Sequence, residues 1–155
     1  MIFKLIHQLQ DDLITAVGPN CSYGDNKVEN VYIDVPSSPS DNIFIGIDGA
    51  EKVDSEYEIG KKIATVFTYS INLVVAVNHS DVFTGKELLE KIERRILKSL
   101  NTSNLTTLSD TSDGIIERVL DFSLKTTNYQ PGIYPDNKLI HHIIMTLEVR
   151  TQLEF

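Results

Sequence analysis

Apolar residues recur every three or four positions at the start of the chain, at Ile2, Leu5, Ile6, Leu9, Leu13, Ala16 and Val17, with Lys4, Gln8, Asp11 and Asp12 between them. That period gathers one apolar stripe and predicts an amphipathic helix, stopped by Gly18-Pro19. From Asn20 to Asp41 turn formers dominate, Pro36, Ser37, Ser38, Pro39 and Ser40 among them, around the short apolar stretch Val31 to Val35. An irregular connection holding one short edge strand is expected there. Ile43, Phe44, Ile45, Gly46 and Ile47 form a compact strand that Asp48-Gly49 would turn.

The period then changes to two. Phe67, Tyr69, Ile71, Leu73, Val75 and Val77 alternate with Thr68, Ser70 and Asn72, which predicts a long half-buried strand over Thr65 to Asn78. Thr84 to Leu100 returns to helical spacing, with Leu88, Leu89, Ile92, Ile96 and Leu100 inward and a capping-box pattern at Thr84 and Glu87. Its pairs Glu87/Lys91 and Glu90/Arg94 read as a solvated helix face. Asn101 to Gly114 is polar apart from Leu105 and Leu108. Connections of that length are uncommon in compact domains. Next, Ile116, Leu120, Phe122 and Leu124 alternate with Glu117, Asp121, Ser123 and Lys125, which places Glu117 on the polar side of another strand. Asn128 to Asn137 reads as a wide turn, and Leu139 to Phe155 alternates as a last strand.

Three long strands with polar opposite faces, and two helices to cover the apolar face, give an α+β domain. The expectation is a mainly antiparallel sheet with two helices packed on one face, residues 1–155 forming one domain. The final strand would be a pairing hazard if its edge were open, and cover by another subunit is expected.

Composition narrows the classes. The formal net charge is -8, from 22 acidic and 14 basic residues, and the basic ones are scattered, which argues against tight nucleic-acid binding. A lone cysteine, Cys21, forms no internal disulfide and fits a reducing cytoplasm. No apolar run approaches the roughly 18 residues of a membrane span, and the start turns polar too early for a signal peptide.

Chemistry-bearing motifs are absent. His141 and His142 are strand neighbours, so they point to opposite faces and do not chelate one ion together. Asp110 and Asp113 before Gly114 lack the alternating ligands and closing glutamate of a calcium loop, and a capped turn is expected. Neither a nucleophile elbow nor a phosphate-binding glycine loop occurs. No catalytic residue, cofactor or metal site is expected. Tyr23, Tyr32, Tyr129 and Tyr134 sit in or near loops, where they suit an interface or the pinning of loops equally.

The order of elements resembles that of the tail terminator proteins of long-tailed bacteriophages, also called tail-completion or tail-to-head joining proteins. The likeness lies in the N-terminal helix, the Pro-rich approach VPSSPSDNIFIGI, the strand TVFTYSINLVVAV, the helix GKELLEKIERRILKSL with its polar loop, and the closing strand IIMTLEVRTQLEF. The loop before Asn42 departs from the family pattern. The resemblance implies a virion structural protein, made in the host cytoplasm and located at the head-proximal end of the tail. There it would form a ring, six-fold in the family, that ends tail-tube polymerisation and receives the head. Its partners would be other copies of itself, the tail tube protein and a head-completion or connector protein, with DNA passing through unbound and no membrane involved. A related neck or sheath-terminating ring predicts the same fold, whereas a small enzyme or adaptor predicts no ring. Interface candidates are Leu105, Leu108, Tyr129 and Tyr134 in polar loops, and Arg150, Leu153 and Phe155 at the end of the last strand.

Overall fold

The apolar stripe of the first segment closes into helix α1 (Ile2–Ala16), whose Leu5, Leu9 and Leu13 are almost wholly buried. The computed structural model describes residues 1–18, 22–23, 26–37, 39–57, 65–103, 105–133 and 139–154. After α1 come a two-residue pair, β1 (Ser22–Tyr23) and β2 (Asn26–Lys27), then β3 (Asn30–Ile33), β4 (Ile43–Tyr57) and β5 (Thr65–Asn78). Helix α2 (Val82–Thr102), a 3-10 turn (Leu105–Thr107), β6 (Ser109–Ser112), β7 (Ile115–Ile133) and β8 (Leu139–Glu154) complete the order. The main sheet has six strands in the order β3-β4-β5-β8-β7-β6, and β3–β4 is its parallel pair. An α+β fold with a mostly antiparallel sheet results.

The alternation read from sequence sets the core. Odd residues of β5 from Phe67 to Val77 and of β8 from Ile143 to Val149 are buried, in register opposite one another. They join the helix stripes (Leu5, Leu9 and Leu13; Leu88, Leu89, Ile92 and Ile96) in one hydrophobic cluster. Helix α2 starts earlier than the expected capping box. Asp81 is its N-cap, accepting from the Phe83 amide and from the Thr84 hydroxyl. A carboxylate takes both donors where a hydroxyl offers less, so Thr84 sits within the first turn and not at the cap.

Several strands exceed their sequence boundaries. Asp48-Gly49 does not turn the chain; Gly49, at φ 60, lies where β4 shifts register against β5, and the strand continues to Tyr57. A glycine in that region typifies a β-bulge, which bends a strand without ending it. The polar stretch after α2 is not one long loop, because β6 pairs with β7 through a tight hairpin in which Asp113 and Gly114 both have positive φ. That backbone matches a two-residue hairpin turn and replaces the expected capped turn. The wide turn expected from Asn128 narrows, since β7 runs through Pro131 to pair Ile133 with Leu139. The last strand is not an edge. β8 lies between β5 and β7 with both sides paired, so its hazard is met within the chain.

Candidate functional site

The open edges of the sheet now lie elsewhere. β6 covers β7 from Ile115 to Arg118 and the Val119 amide donates to the Leu108 carbonyl, so among the described residues the outer edge from Leu120 to Ile133 has no strand beside it. Leu120 (43% exposed), Leu124 (36%) and Tyr129 (41%) lie along that stretch. Its charged residues Asp121 and Lys125 are engaged with β8, in ion pairs to Arg150 at 3.0 Å and Glu148 at 3.6 Å. The opposite edge is built differently. Beyond β3, β4 carries exposed Asp48, Glu51, Lys52, Asp54 and Glu56 and two register shifts. Charge and irregularity are the usual protection of a strand edge; β7 also has two register shifts, at Leu120 and Lys125, but Asp121 and Lys125 are the two charges along its open stretch.

The β7 edge borders a groove against α2. A cleft of about 270 Å³ is lined by Lys86, Leu89, Glu90 and Glu93 of α2 and by Tyr129 and Ile143 of the strands. At its end Tyr129 stacks on His141 with centroids 6.4 Å apart, and its hydroxyl lies 2.9 Å from His141 Nδ1. Lys86 Nζ stands 5.6 Å from the Tyr129 ring centroid. His141 itself is 1% exposed and packs on Gly85, where an added Cβ would stand 2.4 Å from the imidazole Cδ2. Burial, then the nearby positive charge of Lys86, His79 and His142, holds the His141 pKa below the ordinary histidine value.

A second polar cluster closes the other end of β7. Glu117 is buried and accepts from Tyr69 Oη (2.8 Å) and Thr151 Oγ1 (2.6 Å), with the Met1 ammonium 3.6 Å away. Burial and the Glu117 carboxylate push the Tyr69 phenol far up. Alternation had put Glu117 outward. A register shift between Val119 and Asp121 makes Leu120 the extra residue, so Glu117 and Val119 face the core while Phe122 resumes inward beyond the irregularity. Among the described residues, no group of three or more His, Cys, Asp or Glu is placed to hold a metal ion. No helix there is long and apolar enough to cross a membrane.

The interface candidates separate. Leu105 is buried at 2% in the 3-10 turn, so it belongs to the core and not to a free surface. Polar neighbours had suggested exposure, but the turn folds the leucine onto the main cluster. Leu108 and Leu153 are half-buried and pack on that cluster, while Arg150 is exposed and bound to Asp121. Tyr129 is exposed beside the groove; Tyr134 and Phe155 lie outside the described residues. Of the other tyrosines, Tyr23 donates to the Val17 carbonyl and Tyr32 to Asp41, so both pin the chain to itself. Leu120 and Leu124 were missed as edge residues: Leu120 is the extra residue of the register shift, and Leu124, although opposite buried Leu147, stays 36% exposed. His141 carried no signal beyond its neighbour His142.

No protein-family model and no curated protein matches this sequence. Among solved structures, a chain from the virion of a native gene transfer agent particle is similar over 97% of this chain and 91% of its own, at 10% identity and a TM-score of 0.48. The catalytic module of a family 98 glycoside hydrolase from Streptococcus pneumoniae TIGR4 is similar over 68% of this chain and 29% of its own, at 14% identity and a TM-score of 0.13. Neither likeness is close enough to carry a function.

Proposed function

We propose that this chain is a structural protein of a phage-type particle, a single domain that assembles into a ring at the head-proximal end of a tail. In that role it ends tube polymerisation and offers a surface to the head. The observation that carries the reading is the β7 edge, which has no strand beside it beyond Val119 among the described residues, with exposed Leu120, Leu124 and Tyr129. An edge of that length, short of protecting charge, is pairing material and calls for a protein neighbour. Repetition of one head-to-tail contact, the β7 edge of each copy against a different surface of the next, closes a ring when its rotation fits. The order of elements supports the tail terminator among such proteins, and the six-fold ring follows from that resemblance. The acidic balance of the chain, net charge -8, suits a ring through which DNA passes without binding.

Native mass spectrometry across a concentration series tests this. A discrete hexamer is expected, and a Leu120→Asp/Leu124→Asp double variant is expected to give monomer at every concentration, with a melting temperature close to that of the wild type at a dilution where it too is monomeric. Wild-type protein that stays monomeric both alone and with purified tail tubes would sink the proposal.

A further inference from the structure

We infer that His141 is a pH-responsive latch, holding the β7–β8 arm and the Tyr129 end of the assembly edge against the first turns of α2 at neutral pH and releasing them in acid. Its link to assembly rests on the ring reading; the latch itself does not. Nε2 of His141 is the one buried side-chain nitrogen or oxygen, among the described residues, without a hydrogen-bond partner. The ring meets α2 backbone directly, since a Cβ on Gly85 would stand 2.7 Å from that nitrogen. Nδ1 is already taken by Tyr129.

A neutral imidazole tolerates this site, because one nitrogen bonds Tyr129 and the other costs only a lost hydrogen bond. A cation does not. Both nitrogens then carry hydrogen, Nδ1–H donates to the Tyr129 oxygen, and Nε2–H points at Gly85 with no acceptor. The charges near it are positive: Lys86 on α2, His79 ahead of α2 and His142 on β8. Glu90 and Glu93 line the groove farther along α2, whereas Lys86, at its near end, is the closer helix charge to the Tyr129 and His141 pair. Hydrating Nε2 requires the Gly85 turn to part from the ring. That turn is the exposed start of its helix, with Asp81, Val82 and Phe83 open to solvent, so it can lift alone.

The sign follows from linkage. The open state binds a proton at the ordinary histidine value and the closed state only at a lower one, so closure is complete above the ordinary value and is lost as pH falls toward the closed-state value. One proton gives at most about a tenfold change in the opening equilibrium per pH unit.

Hydrogen exchange on the full chain, at a concentration where native mass spectrometry shows monomer, isolates the latch from the ring. After correction for intrinsic rates, protection of the amides of α2's first two turns and of the strand around Tyr129 is expected to fall between about pH 7.5 and about pH 5.5, by at most about tenfold per unit. The slope should vanish in His141→Leu and persist in His142→Gln. Imidazole titration by NMR reads the group directly: His141 of the wild type should titrate below the ordinary value, and its titration should move in Tyr129→Phe. Protection independent of pH, or a slope retained in His141→Leu, overturns the latch. Where wild-type rings form, they should be lost in acid and kept by His141→Leu; a titrating latch in a protein that never forms rings upholds the latch and removes the ring reading.

Discussion

Glu117→Ala is expected to lower the unfolding free energy by about 3 kcal/mol, among the largest losses any single change outside the apolar core would produce. The reason is what it leaves behind. Tyr69 and Thr151 both donate to the same carboxylate oxygen, and Tyr69 is 6% and Thr151 0% exposed. Removing the acceptor strands two buried hydroxyls, each costing about 1–3 kcal/mol unless water reaches it. The Met1 ammonium would lose its 3.6 Å contact with Glu117 but keep the one to Asp110 at 3.3 Å, so most of the loss falls on the hydroxyls. A triple variant, Glu117→Leu with Tyr69→Phe and Thr151→Val, removes donors and acceptor together and should recover most of the stability, as replaced buried polar groups commonly do. Urea unfolding of the single and triple variants measures both. Equal losses in the two would mean that Glu117 acts through packing and not as an acceptor.

That residue also marks how far the sequence could be read. The period-two pattern of β5 and β8 was legible because both strands are regular and pair with each other residue for residue from Thr65 to Asn78. The same reasoning failed on β7 because one extra residue at Leu120 reverses the facing of everything before it. Bulges carry no strong composition signal unless a glycine marks them, and Gly49 in β4 was read as a turn for that same reason. Strand order was equally hidden. Alternation says that a strand has one buried face, but not whether its edges are paired, so the last strand was expected at an edge and lies inside the sheet. Among the described residues the less charged of the two open edges belongs to β7, whose leucines had been assigned to the core. Tyr129 was legible as an exposed aromatic, whereas its partner His141 was not, because the contact joins β7, β8 and the start of α2 through tertiary packing alone.

Gly85→Ala should destabilise the protein by about 2 kcal/mol, although the same change inside an ordinary helix is stabilising by about 1 kcal/mol. The two effects oppose each other at one atom. Alanine restricts the unfolded chain and favours helix, and Gly85 is a helical residue whose amide bonds the Asp81 carbonyl. Its new methyl would stand 2.4 Å from Cδ2 and 2.7 Å from Nε2 of His141. Real methyl contacts do not approach that closely, so the ring or the helix must move. The ring has little room, since it is 1% exposed and stacked on Tyr129. Overpacking of this kind costs about 1–3 kcal/mol and outweighs helix propensity. The sign is therefore diagnostic. Combined with His141→Ala, which empties the space the methyl needs, Gly85→Ala should revert to stabilising, and a double-mutant cycle should return a coupling of about 2–3 kcal/mol. Thermal and urea unfolding of the four proteins measure it. A stabilising single Gly85→Ala would show that the first turn of α2 stands clear of His141, and the contact on which the latch depends would fall with it.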